Sequence, residues 1–245
     1  MTKIVINMKI SLLLVYYNRK QQLINTLSSI YKSKHIDQCE IIIVDDASDT
    51  EHRIEDLLSE KIKFYRVKPE EKNWMTPVIP HNKTISMATG DLVIQQCAEC
   101  YHTEDIIDHA INNITNENYL VYSCYALKPD ESISDFKIKN NQWYQHSLHK
   151  PNCYNFCTAI SKNNLLKLGG FDERYSTLNG IGYADNDFID RVRLLGLTVK
   201  QYDKPFVIHQ HHEKIYKNKV TQINKNIYKS TVLKNYYTKN SFINE

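Results

Sequence analysis

No stretch of this 245-residue chain is apolar for long enough to cross a bilayer. The longest largely apolar run, Ile10–Tyr17, has the length of one strand. The N-terminus has neither the pattern of a secretory signal nor a small-residue cleavage site, so a cytoplasmic location is expected, with peripheral membrane contact left open. Gly/Ser-rich linkers and internal repeats are also missing, which favours one domain over a string of modules. Charge of one sign is not in excess: 31 Lys and Arg stand against 28 Asp and Glu, a net +3. That balance excludes the charge density of a nucleic-acid binder. Six cysteines are scattered without the spacing of a small secreted framework, so free thiols are expected. Cys97-x-x-Cys100 and Cys153-x3-Cys157 could be paired into a zinc site. Against that, Cys97 continues a buried strand pattern and Cys157 lies inside another.

What the chain does have is 42% hydrophobic residues, enough for a sizeable core. Ile10–Tyr17 reads as a strand buried on both faces. Leu23, Leu27, Ile30 and Tyr31 then recur at helical spacing. Ile41–Val44 is a second buried strand, residues 51–59 read as a short helix, and Ile62–Val67 as a third strand. This alternation predicts βαβ units and a parallel sheet. Residues 73–81 read as loop, with Pro77 and Pro80 as breakers. A short helix over 82–88 leads through Gly90 and Asp91 to the strand Leu92–Gln96, and a helix over 104–114 follows.

From about residue 118 the regular alternation gives way to an irregular half. Tyr119–Leu127 reads as a strand, 128–151 as a long polar excursion, 155–160 as a strand and 163–168 as a helix. Two last strands are expected over 198–202 and 206–209. A Lys/Asn/Tyr-rich helical pattern then begins at Lys214, with Val220, Ile223, Ile227, Val232 and Leu233 as its apolar positions.

Several residues carry chemistry. Asp45 and Asp46 end a strand of a parallel sheet, at the edge where ligands usually bind. Asp45 suits an Asx turn, and Asp46 suits the imide N–H of a uracil. Glu99 is a hard oxygen ligand just past another strand, the kind a divalent cation needs. His209, His211 and His212 follow the last strand, and imidazole favours Mn²⁺ over Mg²⁺. Two glycine turns, at Gly169–Gly170 and Gly180–Gly182, frame a loop that runs into Asp185, Asp187 and Asp190 at the start of an apolar-periodic helix. Asp185 either caps that helix or serves as a general base at the mouth of a cleft.

Taken in order, Tyr17-Asn18-Arg19, Val44–Ser48, Asn82 with Ala88–Asp91, Gly169–Glu173, Gly182–Asp187 and Val207–His209 resemble a known family. The chain is similar to the GT-A glycosyltransferases of family 2 type, with a C-terminal half similar to the β-1,4-galactosyltransferase group. The resemblance runs from Lys9 to Glu213. It implies an α/β GT-A fold with a mixed, mostly parallel central sheet in a single domain over 1–245. A Rossmann-like nucleotide-sugar half, about 1–118, would merge with an irregular acceptor and catalytic half, about 119–213, followed by a helical extension over 214–245.

By position, the resemblance assigns Tyr17, Asn18, Arg19, Asp46 and Asn82 to the donor, which is expected to be a UDP-sugar. It assigns Glu99 and His209 to a divalent metal, Mn²⁺ before Mg²⁺, with His211 as the runner-up ligand. Asp185 becomes the catalytic base, and Gly182, Tyr183 and Asp187 fall on the acceptor side. Two positions depart from the family pattern. Cys97 replaces the first acid of the metal motif, and Ala184 replaces the glutamate before the base.

The implied reaction is inverting transfer of a sugar to a hydroxyl of a glycan, a lipid-linked acceptor or a protein. Trp143, Tyr144 and His146 are candidates for the acceptor wall. Cys97 keeps a second reading open, a catalytically silent sugar- or partner-binding module of a glycosylation machine. A nucleotidyltransferase is the third. It would need a Gly-rich phosphate loop after the first strand, and Tyr17–Lys20 contains no glycine.

Overall fold

The computed structural model describes residues 8–178, 180–213 and 221–232. A mixed sheet forms the centre. Its strands are β1 (Ile10–Tyr16), β2 (Cys39–Asp45), β3 (Ile62–Arg66), β4 (Leu92–Cys97), β5 (Cys100–His102), β6 (Asn118–Ala126), β7 (Trp143–Gln145), β8 (Cys157–Ser161) and β9 (Thr198–His209). The spatial order is β3-β2-β1-β4-β8-β6-β9-β5, with β7 added beside β6. The first four strands run parallel, and β8 joins β4 antiparallel. The sheet therefore continues across the change in pattern at residue 118.

The helices are α1 (Lys20–Ile30), α2 (Val78–Met87), α3 (Ile106–Asn113), α4 (Lys162–Leu168), α5 (Ala184–Leu194) and α6 (Gln222–Val232). They sort to the two faces of the sheet by the strand period of two. Leu12, Leu14 and Tyr16 of β1 pack with Leu23, Leu27 and Ile30 of α1 and with Ile106 and Ile107 of α3. Leu13 points the other way, into a core with Val78 and Ile85 of α2, Leu165 of α4 and Phe188 and Val192 of α5. Seven consecutive buried residues in β2 follow from this double coverage. Among the described residues no helix is long and apolar enough to cross a membrane.

At the edge of the sheet where the parallel strands begin, buried Glu40 gathers Ser11, Thr89 and Lys63. Burial works against its charge, but these bonds prevail and hold its pKa down at about 2. The opposite edge carries the chemistry. Register sets Tyr16 beside Asp45 and Val15 beside Cys97, so the ends of β1, β2 and β4 open together.

Four local expectations need correction. Residues 51–59 form two 3₁₀ turns, Thr50–His52 and Glu55–Leu57, instead of a helix. Nine residues with Ile54 as the one fully buried anchor are too few to hold a helix against its nucleation cost. Helix α2 starts at Val78 and includes Pro80 in its first turn, where a missing N–H costs nothing. The two last strands are one, β9. Pro205 fits within it because β5 pairs only with Val207–His209, leaving the preceding stretch as an edge. The polar excursion contains β7, which pairs with β6. Helix α6 occupies part of the C-terminal helical pattern, while Val220 and Leu233 lie outside the described residues.

Candidate active site

The turn after β1 meets the turn after β2. Asn18 takes up a left-handed backbone, φ 51°. It then clasps the neighbouring turn: its N–H reaches Ser48 Oγ at 3.0 Å, its amide donates to Asp49 at 2.6 Å, and its carbonyl oxygen accepts from Asp49 N at 2.8 Å. Asp45 is structural, as its position suggested. It accepts from Ser48 N at 2.8 Å and pairs with Arg66 at 2.6 Å.

Asp46 sits next to Tyr17, in a nest that sequence reasoning did not identify. Trp74 Nε1 donates to its Oδ1 at 2.9 Å, and Lys72 lies 3.0 Å from its Oδ2. The same Lys72 ammonium stands 3.6 Å from the centroid of the Tyr17 ring. Burial raises the Asp46 pKa, against the lowering effect of Lys72 and Trp74. Trp74 and Lys72 fall in a segment that reads as loop, so no periodicity marks them.

Arg19 links this group to the next. Its guanidinium is 2.6 Å from Glu99 Oε1. The same oxygen faces His209 Nε2 at 3.2 Å and His212 Nε2 at 3.4 Å. Antiparallel pairing of β5 with β9 sets Cys100 opposite His209, and Gln210 N donates to Glu99 O, which brings the glutamate to the histidines. Burial acts to raise the Glu99 pKa. Hydrogen bonds from His209 and His212, with the Arg19 charge, outweigh it and hold the carboxyl well below the usual glutamate range.

The third member of this cluster is His212, which was not among the expected ligands, and His211, the runner-up to His209, is outside the cluster. An extended continuation would put residues 209 and 211 on one face, but the strand ends at His209. Ligand atoms of Glu99, His209 and His212 all lie within 4.8 Å of one another. One carboxylate oxygen and two imidazole nitrogens at that spacing fit a divalent cation, and nitrogen ligands suit Mn²⁺. Cys97 is not part of this set, and its Sγ lies 3.9 Å from Asn155 O. It contacts Cys100, and that contact followed by burial raises its thiol pKa well above normal. The six cysteines are free thiols.

A cavity of about 300 Å³ opens on the other side of Cys97 and Phe156. Met75, His81, Tyr154, Gly182 and Asp185 also line it. Phe156 is the shared wall, because its ring also meets His209 edge-on at 5.6 Å. Tyr144 stacks on Phe156 at 5.3 Å and meets His209 at 5.1 Å. Of the three candidates for an acceptor wall, Tyr144 alone packs here. Trp143 is buried in a separate cluster with Tyr125 and Phe206, and His146 turns toward Asp203. Burial pushes the His81 pKa down to about 4, so a neutral imidazole faces the cavity.

Asp185 does not cap α5. The cap position is Tyr183, with φ 66° and no side-chain capping bond. Gly182 before it, at φ +82°, supplies the turn, and a Cβ there would meet open space. One Asp185 oxygen accepts from Asn155 Nδ2 at 2.9 Å, and Tyr119 O–H in turn donates to Asn155 at 2.7 Å. Burial raises the Asp185 pKa, moderated by the bonds from Asn155. This partly buried carboxylate, fixed on one side and lining a cavity on the other, is what a general base requires. Asn155 precedes a strand without any motif, so sequence offered no signal for it.

Two expected site residues are not brought to this place. Asp187 is fully buried and pairs with Arg191 at 2.8 Å, and Arg191 holds the Leu168 and Gly170 carbonyls. Its role is to anchor the Gly169–Gly170 turn. Asn82 ties α2 to that same turn, donating to Phe171 O and Glu173 and accepting from Phe171 N. Gly170 is required there, because a Cβ would stand 2.6 Å from Asn82 Oδ1 and φ is +73°.

A mixed sheet whose parallel edge gathers Asp46, Arg19 and Glu99, with an irregular half that adds the histidines and Asp185, defines a GT-A α/β domain. The chain belongs to glycosyl transferase family 2, whose model matches residues 11–170. Among curated proteins no significant sequence match was found.

Solved structures share the fold. S. aureus TarS 1–349 in complex with UDP-GlcNAc is similar with a TM-score of 0.69 and 18% identity, over 97% of this chain and 68% of that one. The mannosyltransferase PcManGT from Pyrobaculum calidifontis, in complex with GDP-Man and Mn²⁺, has a TM-score of 0.59 and 14% identity over 86% of this chain. The alignment spans 58% of that mannosyltransferase's length. GalNAc-T7 with UDP, GalNAc and Mn²⁺ has a TM-score of 0.63 and 15% identity, covering 84% of this chain and 44% of that one.

Proposed function

We propose that this protein transfers a sugar from a nucleotide-diphosphate donor, UDP-linked, to an acceptor hydroxyl with inversion, using Asp185 as general base. The observation that carries the reading is the position of Asp185. It is a partly buried carboxylate on a cavity that shares the Phe156 wall with the Glu99 cluster. An acceptor hydroxyl in that cavity would give its proton to Asp185 as its oxygen attacks the anomeric carbon. Asn155 holds the carboxylate in place, and the carboxylate, which lines the cavity, would receive the proton. The apolar and aromatic lining from Met75, Tyr154 and Phe156 limits water around the reacting hydroxyl. Asp46, Tyr17 and Asn18 would receive the nucleoside, and Arg19 the diphosphate. Glu99, His209 and His212 would hold a divalent cation, Mn²⁺ before Mg²⁺, which when bound supplies charge neutralisation for the leaving diphosphate.

The similarity of Gly182–Asp187 and His209 to the β-1,4-galactosyltransferase pattern belongs to this reading. So does an acceptor that is a glycan, a lipid-linked saccharide or a protein hydroxyl. UDP bound by TarS and GalNAc-T7 supports a uridine donor, while GDP-Man on PcManGT makes the base a matter for measurement. The test is a melting-temperature screen of UDP, GDP and CDP with Mn²⁺, together with hydrolysis of UDP-sugars. UDP should stabilise most by mass action, and Asp46→Ala should remove the preference. No stabilisation by any of the three and no donor turnover would reject the reading.

A further inference from the structure

Arg19 stands where two cations would compete. Its guanidinium lies 2.6 Å from Glu99 Oε1, the oxygen that also faces His209 and His212. A divalent ion held by these three groups would take the carboxylate that Arg19 already holds. It would bring a double positive charge to within a few ångströms of the guanidinium. Glu99 is only 5% exposed, so little water is present to screen the repulsion. The metal and Arg19 therefore exclude each other at Glu99.

Arg19 is free to leave. It is the residue before α1, and its side chain makes no capping bond to that helix. The first turn of α1 contains no acidic residue to recapture it. A guanidinium freed from Glu99 at the head of α1 can bind phosphate oxygens in bidentate fashion.

We infer that Arg19 is a shared cation, which neutralises Glu99 until a divalent ion takes that carboxylate and then turns to the donor's diphosphate. The inference rests on the nucleotide-diphosphate reading above and adds a coupling to it. Metal entry releases the guanidinium that the diphosphate uses, so each ligand strengthens the other by the same factor. In the metal-free protein the Arg19–Glu99 pair leaves neither partner's charge exposed to a wrong ligand.

The test is titration calorimetry with Mn²⁺ alone, UDP alone and UDP in saturating Mn²⁺, on wild type and Arg19→Gln, with melting temperatures in chelator as the folding control. Glu99→Gln identifies the site by abolishing Mn²⁺ uptake. Arg19→Gln should bind Mn²⁺ alone roughly tenfold more tightly, the scale of one charge-assisted hydrogen bond removed from competition. In saturating Mn²⁺ it should bind UDP roughly tenfold more weakly. Arg19→Lys keeps a charge near Glu99 and should return Mn²⁺ affinity toward the wild-type value. Unchanged or weaker Mn²⁺ binding in Arg19→Gln overturns the inference, and so does unchanged UDP affinity in Mn²⁺. Wild type that binds UDP equally in chelator and in Mn²⁺ overturns the coupling while sparing the nucleotide reading. Wild type that binds no UDP under any condition overturns both.

Discussion

Asp185 and Asp187 stand two residues apart on α5, and their substitution by asparagine should have opposite consequences. Asp185→Asn keeps the acceptor oxygen that meets Asn155 and removes the ability to take a proton. It also gives up a favourable charge near a helix start, worth about 0.3–1 kcal/mol. Burial raises the Asp185 pKa, so above the unfolded value of about 3.9 the ionised carboxylate opposes folding. The amide relieves that cost, and the relief vanishes below that pH, where both chains are neutral at this position. The two effects offset, and the melting temperature at pH 7 should move by no more than about 4 °C. Transfer should fall by roughly 10²- to 10⁴-fold.

Asp187→Asn instead removes the negative member of a fully buried ion pair and with it the charge that balances Arg191. Breaking such a pair costs about 3–5 kcal/mol, which in a domain of this length lowers melting by roughly 6–20 °C. Differential scanning calorimetry at pH 7, with transfer assayed well below both melting points, separates the two. An Asp185→Asn enzyme with near wild-type turnover refutes the base assignment. An Asp187→Asn protein that melts like wild type refutes the account of the pair.

Removing His212 should weaken Mn²⁺-dependent UDP binding as much as removing His209, whereas His211→Ala should leave it unchanged. Calorimetry showing the reverse order would reassign the third ligand. Asn155→Ala should raise the Asp185 pKa further, because burial then acts with less opposition. The acid limb of kcat/KM against pH should move to higher pH, and a limb that stays in place removes Asn155 from its positioning role.

The fold was legible where burial and period agree. β1 and β2 are covered on both faces, so their apolar runs could hardly be anything else, and α1 and α5 show their stripes plainly. Short strands such as β5 and β7 are held by neighbours remote in sequence, and three residues contain no period to detect. The same distinction holds in the site. Asp46, Glu99, Arg19 and His209 lie at the ends of readable elements, so sequence could offer them as candidates. Lys72, Trp74, Asn155 and His212 reach the candidate site through loops, and their place there depends on tertiary approach. Asp187 misled because a carboxylate beside glycines looks the same in sequence whether it faces solvent or an arginine within the core.

Helix α6 places Asn224 against the glycine loop, its amide donating to Gly182 O at 2.9 Å, and Tyr228 bonds to Asp190 of α5. The Gly180–Gly182 loop thus takes its shape in part from a helix far downstream in the chain. A chain shortened before Gln222 would retain every candidate ligand and base and still carry a rebuilt entrance to the cavity. Under the proposed function, activity measured on such a fragment would report an altered acceptor cavity beside an unchanged Asp46 and Glu99 cluster.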